Sequence, residues 1–199
     1  MLEELVTQSL ELPSGELRVL QPEEVAELPD DGAVEWAPLA PYWAVLWRSG
    51  VALAHELDEE PLDGLRVVEL GCGLAAPSIA AARAGASVLA TDNCPEALEL
   101  VAQNADANGV RVETAEIDWA QPDELISRGP FDLVLAADVL NERASVALLL
   151  ALLPRLAPDA RLADPGRPAA AAFLEHARRR WSVETRTWGV VQIHRLRLS

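Results

Sequence analysis

The residues of this sequence that could bind a ligand or do chemistry lie in short segments that follow apolar runs. Glu69-Leu70-Gly71-Cys72-Gly73 comes directly after Val67-Val68, and Asp92-Asn93 comes after a second apolar run. Asp118-Trp119 and Asp138 follow later runs in the same way. Because ligands of open α/β sheets bind where the strands end, this spacing places the glycine segment at a ligand site.

The Gly71-Cys72-Gly73 turn allows two interpretations. Glycines between a strand and a helix let the backbone approach a ligand closely, and one of them can take a positive φ. Gly71-x-Gly73-x-x-Ala76 also satisfies the fingerprint of dinucleotide-binding turns, so a nicotinamide or flavin enzyme must be considered. Cys72 needs only its backbone in either case.

Carboxylates around this turn favour one interpretation. Glu69 precedes the first glycine, where its charge can receive the ammonium of a methionine moiety but would gain nothing from a pyrophosphate. Asp92, with Asn93 beside it, can bind two ribose hydroxyls, which suits both cofactors. Asp118 beside Trp119 can accept a hydrogen bond from an adenine amine while the indole packs on the ring.

A regular alternation of strands and helices follows Arg66 and must position these residues. Apolar strands separated by helices indicate a parallel sheet covered on both faces, and two terminal strands joined by a tight turn must be antiparallel. The pattern therefore predicts an α/β fold with a doubly wound, Rossmann-like, mostly parallel seven-stranded sheet and an antiparallel C-terminal hairpin. The predicted strands are 66–70, 87–91, 110–117, 131–137, a very short 161–163, 181–186 and 190–198, and the predicted helices are 77–84, 95–108, 144–153 and 169–180.

The region before Arg66 is predicted to hold a β-hairpin, 7–12 with 16–20, and a helix over 43–57. We interpret the chain as one domain, with residues 1–42 forming the hairpin and a lid extension and residues 43–199 forming the core. Trp36, Trp43 and Trp47 cluster before the sheet. They are expected to form a lid or a wall around the ligands, with Trp47 the best candidate for the cofactor and Trp43 for the substrate.

Bulk composition limits the partners. The chain has 199 residues and a formal net charge of −16, so nucleic acid is not expected as a partner. All 16 basic residues other than histidine are arginine, so the protein has no lysine of its own to methylate. Two cysteines make no disulfide framework, and no metal site is visible in the sequence. The acidic N-terminus and the shortness of the longest apolar run, 146–153, predict a cytoplasmic protein with no membrane span.

The motifs together resemble those of class I, seven-β-strand S-adenosylmethionine methyltransferases. The resemblance rests on Val67–Gly73, Ala90–Asp92 and Asp118-Trp119 and covers most of the chain from about Pro41. Within that class, Pro41-Tyr42-Trp43-Ala44-x-x-Trp47, Leu135–Leu140 and Asp164–Pro168 resemble the protein-lysine methyltransferases, including those of the electron transfer flavoprotein β-subunit.

This resemblance implies roles for individual residues. It places Trp47, the Gly71–Gly73 loop, Asp92, Trp119 and Ala137 around the cofactor. Asp138 matches the first position of an Asp/Glu-x-x-Tyr/Phe motif that faces the acceptor lysine, so Asp138 is the predicted catalytic residue.

The sequence departs from the family pattern in two places. Asn141 stands where the motif has an aromatic residue, and the strand 161–163 looks about two residues shorter than the family's. Both departures concern the acceptor side of the site. We place Asn141 and Arg167 in the predicted substrate site.

The sequence therefore predicts an S-adenosylmethionine-dependent methyltransferase that N-methylates a protein lysine. Three alternatives stay open at this point. They are a small-molecule N- or O-methyltransferase, a nicotinamide-dependent oxidoreductase that uses the same glycine turn, and an inactive cofactor-binding protein. The acceptor, the number of methyl groups and the oligomeric state do not follow from the sequence.

Overall fold

The computed structural model describes residues 4–26, 42–141 and 143–199. Its strands are β1 (Leu5–Leu12), β2 (Gly15–Pro22), β3 (Arg66–Leu70), β4 (Ser87–Asp92), β5 (Glu113–Glu116), β6 (Leu133–Ala137), β7 (Asp159–Asp164), β8 (Trp181–Trp188) and β9 (Val191–Leu198). Its helices are α1 (Glu23–Ala26), α2 (Arg48–Asp58), α3 (Ala76–Arg83), α4 (Pro95–Ala107), α5 (Asp123–Arg128), α6 (Arg143–Leu156) and α7 (Pro168–Ala177), with a 3₁₀ turn at Tyr42–Ala44.

Seven strands form the central sheet in the order β5-β4-β3-β6-β7-β9-β8. The five strands from β3 to β7 pair in parallel, whereas β9 runs antiparallel to β7 and to β8. Chain order reverses between β3 and β6, which is the switch point where ligands of doubly wound sheets bind. The predicted fold class is therefore confirmed.

Helices cover both faces of the sheet because the central strands are apolar on both sides. One buried cluster joins the sheet to α5, α6 and α7 and includes Leu125, Leu149 and Phe173. The other joins it to α2, α3 and α4 and includes Leu53 and Ile79. Among the described residues, none of the helices has the length and apolar character required to cross a membrane.

The predicted N-terminal hairpin is present as β1 and β2, a separate two-stranded sheet docked on α4. Two side-chain amides, one in α4 and one directly after it, form hydrogen bonds with the main chain of β2. Asn104 accepts from the Leu20 N–H at 2.6 Å and donates to the Leu20 carbonyl at 3.3 Å. Asn108 pairs with the Arg18 N–H and carbonyl at 2.9 and 2.6 Å. Trp36 and most of the predicted lid extension lie outside the described residues.

The helix predicted over 43–57 begins later, at Arg48. Trp43 lies instead in the 3₁₀ turn, and Trp47 is an extended residue before the helix, with ψ of 142°. The Trp47 indole N–H donates to the Tyr42 carbonyl at 3.0 Å, which stabilises this compact turn. The apolar pattern could not reveal the break, because it already begins at Trp43 and continues into the helix.

The prediction of a very short fifth strand is wrong, because β7 has six residues. It pairs with β9 along its whole length and with β6 over 159–163. The prediction missed Asp159, Ala160 and Asp164, because aspartate is disfavoured in strands and gives no local strand signal. Arg161 at its centre is 6% exposed and lies beside Glu56 of α2 at 3.7 Å and beside Glu60 at 3.6 Å. One of the two departures from the family pattern therefore disappears.

Smaller differences occur at other boundaries. β5 begins at Glu113 because Gly109, with φ of +68°, and the Val110 N–H bond to the Ala105 carbonyl keep the chain in the turn that ends α4. Helix α5 was not predicted from the sequence, and the last helix ends at Ala177 rather than Arg180.

We expect Asn104→Ala to destabilise the protein by about 2–4 kcal/mol, because it leaves the Leu20 N–H and the Leu74 carbonyl buried without their partner. Asn108→Ala removes a similar pair of bonds at a half-buried position where water can replace the amide. It should therefore destabilise by only about 1 kcal/mol. Urea unfolding of both variants measures the difference. Equal losses of unfolding free energy would contradict the larger role assigned to the Asn104 hydrogen bonds.

Candidate active site

The loop from β3 to α3 has an unusual backbone that depends on glycine. Gly71 and Gly73 have φ of +65° and +48°. A Cβ at Gly71 would lie 3.0 Å from Val139 Cγ1 and 3.4 Å from the Trp119 ring. A Cβ at Gly73 would lie only 2.7 Å from the Trp43 carbonyl oxygen. Neighbouring segments thus close on the loop from two sides, and side chains are excluded at both positions.

Asp92 fixes this loop from the end of β4. Its Oδ2 accepts a hydrogen bond from the Gly73 N–H at 2.9 Å, and its Oδ1 accepts one from the Cys94 N–H at 3.1 Å. The Cys72 N–H also donates to the Thr91 carbonyl at 3.0 Å. Each carboxylate oxygen has a second lone pair, so Asp92 can still accept two ribose hydroxyls, and the predicted cofactor fits here.

Glu69 lies beneath the loop and is only 1% exposed. Its Oε2 accepts hydrogen bonds from the backbone N–H of Ser78 at 2.9 Å and from the Ser78 hydroxyl. Burial raises the pKa of Glu69 to about 8, although both bonds from Ser78 act against this rise. Glu69 therefore binds the first turn of α3, and an ammonium ligand would have to use its other oxygen. Its role toward the cofactor stays a prediction.

The Trp119 ring lies 3.4 Å from a Cβ built at Gly71, and its contact with the adenine stays a prediction. Asp118 is exposed, and its Oδ1 accepts from the Ala120 N–H at 2.8 Å in a tight turn. Cys72 is buried, which raises the pKa of its thiol and keeps it protonated. The structure therefore gives no reason to treat Cys72 as a nucleophile.

Asp138 follows β6 and has a left-handed backbone, with φ of +59°, fixed by a bond from its N–H to the Ala163 carbonyl at 2.9 Å. Its Oδ1 forms a short ion pair with Arg167. Burial raises the pKa of Asp138, whereas Ser49 and Arg167 act to lower it. The Ser49 hydroxyl is buried beside this carboxylate, but it makes no hydrogen bond of normal geometry within the described part of the chain.

Other predicted site residues lie around this centre less closely. Asn93 and Asn141 are exposed, and Ala137 is half-buried where β6 pairs with Ala163. The Trp43 carbonyl oxygen lies against Gly73. Trp47 is half-buried and directly precedes α2.

Sequence reasoning missed four residues that the fold brings to the site, namely Ser49, Ser78, Val139 and Asp164. Asp164 stood in a quoted motif, but nothing local indicated that it would bind Arg167. Val139 lies within the Leu135–Leu140 motif, but nothing there indicated its contact with Gly71, and Ser49 and Ser78 have no signal in their own segments. A separate cavity of about 310 Å³ lies at the opposite, amino-terminal edge of the sheet, beside Arg66 and Phe131. It is remote from all the predicted residues, so we assign it no part in the chemistry.

Residues 42–161 match a protein family described as lysine methyltransferase. The chain belongs to the lysine methyltransferase family. This membership confirms the resemblance to S-adenosylmethionine-dependent lysine methyltransferases that the motifs indicated.

Relatives and solved structures agree with the family. The chain is 36% identical over 150 residues to the electron transfer flavoprotein beta subunit lysine methyltransferase of Xenopus laevis, covering 71% of this chain and 58% of the relative. It is 35% identical over 120 residues to a protein N-lysine methyltransferase of Danio rerio, covering 57% and 55%. The chain thus spans little more than half the length of these curated relatives.

A solved structure supports the fold of this family member. The 16S rRNA methyltransferase of T. thermophilus, in complex with AdoMet and guanosine, has a TM-score of 0.66 and 17% sequence identity. The match covers 98% of this chain and 51% of that chain.

We expect Gly73→Ala to destabilise the protein more than Gly109→Ala. Both glycines have positive φ, which costs any other residue about 1–2 kcal/mol, but a Cβ at Gly109 meets nothing within 4 Å. At Gly73 the clash with the Trp43 carbonyl adds about 1–3 kcal/mol and moves the loop. Urea unfolding and calorimetric titration with S-adenosylhomocysteine measure both effects. Equal stability and unchanged affinity in the two variants would contradict this description of the loop.

Glu69 should make stability depend on pH. Burial raises its folded-state pKa from 4.5 to about 8, so the folded protein holds a proton that the unfolded chain releases. This contribution is present in full below pH 4.5 and is lost as pH rises to about 8. Its steepest slope is about 1.4 kcal/mol per pH unit.

We expect Glu69→Gln, which cannot ionise, to lack that contribution. The variant should therefore become more stable relative to the parent as pH rises from 4.5 to about 8. Denaturant unfolding at several pH values measures it. A difference that stays constant with pH would show that Glu69 does not hold the proton.

Proposed function

We propose that the protein is an S-adenosylmethionine-dependent methyltransferase that N-methylates a lysine side chain of another protein. One contact carries the proposal. Val139, the residue directly after Asp138, packs against the Gly71 position of the cofactor loop. Asp138, which is predicted to face the acceptor lysine, is therefore one residue away from the wall of the predicted cofactor site, as methyl transfer between two bound groups requires.

The cofactor, when bound, supplies a methyl group on a sulfonium that is already an excellent leaving group. The protein must then mainly hold the acceptor nitrogen in line with that methyl, which can account for about 7–11 kcal/mol of the barrier. Gly71, Gly73 and Asp92 are the residues that we expect to hold the cofactor. Trp119 is expected to pack on its adenine.

The acceptor amine must react in its neutral form, although free lysine has a pKa of about 10.4. Removal from water lowers that pKa, whereas an anionic Asp138 beside the amine raises it, so the proton must leave before the nitrogen can attack. We assign Asp138 to accept a hydrogen bond from the amine and so to direct the nitrogen lone pair. Its left-handed backbone and the Ala163 bond hold the carboxylate in place for this task.

Part of the proposal extends beyond the site. We propose a protein with an exposed lysine as the acceptor, and action in the cytoplasm. The excess of acidic residues supports a basic acceptor surface over nucleic acid. The finding that β7 has its full length removes one reason to consider an inactive cofactor-binding protein.

Incubation with radiolabelled S-adenosylmethionine and a lysate of the source cells tests this function. We expect label in protein, at lysine, and mass spectrometry to identify the residue. The enzyme contains no lysine, so label on lysine cannot come from the enzyme itself. Asp138→Asn should reduce the rate about 100-fold by misplacing the amine.

Asp132→Asn is a matched control, because Asp132 lies directly before the same strand, at its opposite end, and binds the Arg66 N–H there at 2.7 Å. It should leave the labelling rate close to that of the parent. Label confined to small molecules would reject the protein acceptor in favour of small-molecule methylation. Equal rates for the Asp138 and Asp132 variants would reject the role of Asp138.

A further inference from the structure

Arg167 bridges two carboxylates at the acceptor side of the site. Its Nη1 donates to Asp138 Oδ1 in a short bond and to Asp164 Oδ2 at 3.2 Å. The side chains of Asp138 and Asp164 are 8% and 2% exposed, whereas that of Arg167 is 27% exposed. The guanidinium therefore covers the two acids and faces solvent on its other side.

The two carboxylates depend on Arg167 to different extents. Asp164 Oδ1 also accepts the backbone N–H groups of Gly166 and Arg167 at 2.7 and 2.6 Å, in the turn that begins α7. Asp138 has no such backbone donors among the described residues, and its nearby hydroxyl, Ser49, is neutral. Arg167 could leave Asp138 and still be paired with Asp164. Asp138 would then lack a counter-charge.

The charges of this cluster favour exchange with another cation. Two carboxylates and one guanidinium leave one net negative charge. A cation that replaces Arg167 at Asp138 compensates that charge, while Arg167 stays in its ion pair with Asp164. A neutral group that displaced Arg167 would leave a buried, unpaired carboxylate, which is costly in a protein interior.

We propose that Arg167 selects acceptors by their charge. It stays paired with the Asp138 carboxylate until a cationic group replaces it, so the site binds ammonium acceptors and rejects neutral ones. The proposal rests on the proposed methyl transfer and adds the charge class of the acceptor. It concerns the binding step that precedes transfer; the bound ammonium must then release its proton to solvent, which frees the nitrogen lone pair for attack on the methyl group. The backbone of Asp138 is bonded to β7 through its N–H and the Ala163 carbonyl at 2.9 Å, whereas Arg167 has a long side chain that is 27% exposed.

Calorimetric titration with n-butylammonium, which has the amine end of a lysine side chain, tests this competition. Arg167→Gln removes the competing charge, so butylammonium should bind about tenfold more tightly than to the parent. Arg167→Lys keeps a competing cation and should stay close to the parent. Arg197→Gln is the matched control, because Arg197 is 64% exposed and lies beside Asp159 at the other end of β7.

Butylammonium binding that is unchanged, weaker or absent in Arg167→Gln would overturn the proposal. The titrations are run with and without S-adenosylhomocysteine to separate the two proposals. Failure of S-adenosylhomocysteine to bind would contradict the proposed methyltransferase function but not the exchange at Arg167. A second measurement needs no variant. The nitrogen NMR signal of the Arg167 guanidinium in the parent should shift on addition of butylammonium but not of 1-butanol. Equal responses to the two compounds would also overturn the proposal.

Discussion

Parallel pairing of β4, β3, β6 and β7 is the constraint on which the rest of the site depends. Strands that run in one direction end at one edge, so Asp92, Gly71, Asp138 and Asp164 come together although they are far apart in the chain. Reversal of any one strand would move its polar end to the opposite edge. The direction is maintained because these strands are apolar on both faces and need a helix between each pair to cover them.

Hydrogen bonds of the main chain then fix the positions of the loops that form the site. The Gly73 N–H binds Asp92, the Cys72 N–H binds the Thr91 carbonyl, and the Asp138 N–H binds the Ala163 carbonyl. These bonds join each loop to the neighbouring strand, so the side chains that different strands contribute to the site keep their relative positions. Such preorganisation suits a reaction in which position, rather than acid or base strength, supplies most of the acceleration.

Much of this fold could be predicted from the sequence because strand and helix periods are local. The order and direction of the strands follow from apolar runs and short turns. β7 was underestimated because its ends, Asp159 and Asp164, are residues that strands disfavour, and only pairing with strands distant in sequence includes them. The start of α2 was misplaced because the apolar pattern already begins at Trp43, before the helix.

The site could be predicted only in part for the same reason. Gly71, Gly73 and Asp92 stand in motifs with a strong local pattern. The bond between Asp138 and Arg167 joins residues 29 positions apart, and the position of Ser49 on α2 beside Asp138 is a tertiary effect that no segment shows. The acceptor side of the site is therefore where the structure adds most to the sequence.

The identity of the ligand in the glycine loop is the central claim, and calorimetry with S-adenosylhomocysteine and NAD tests it most directly. The same turn sequence is compatible with both, whereas the family and the neighbouring carboxylates favour the first. We expect saturable binding of S-adenosylhomocysteine with one site per chain and no binding of NAD. Saturable binding of NAD, with no binding of S-adenosylhomocysteine, would contradict it.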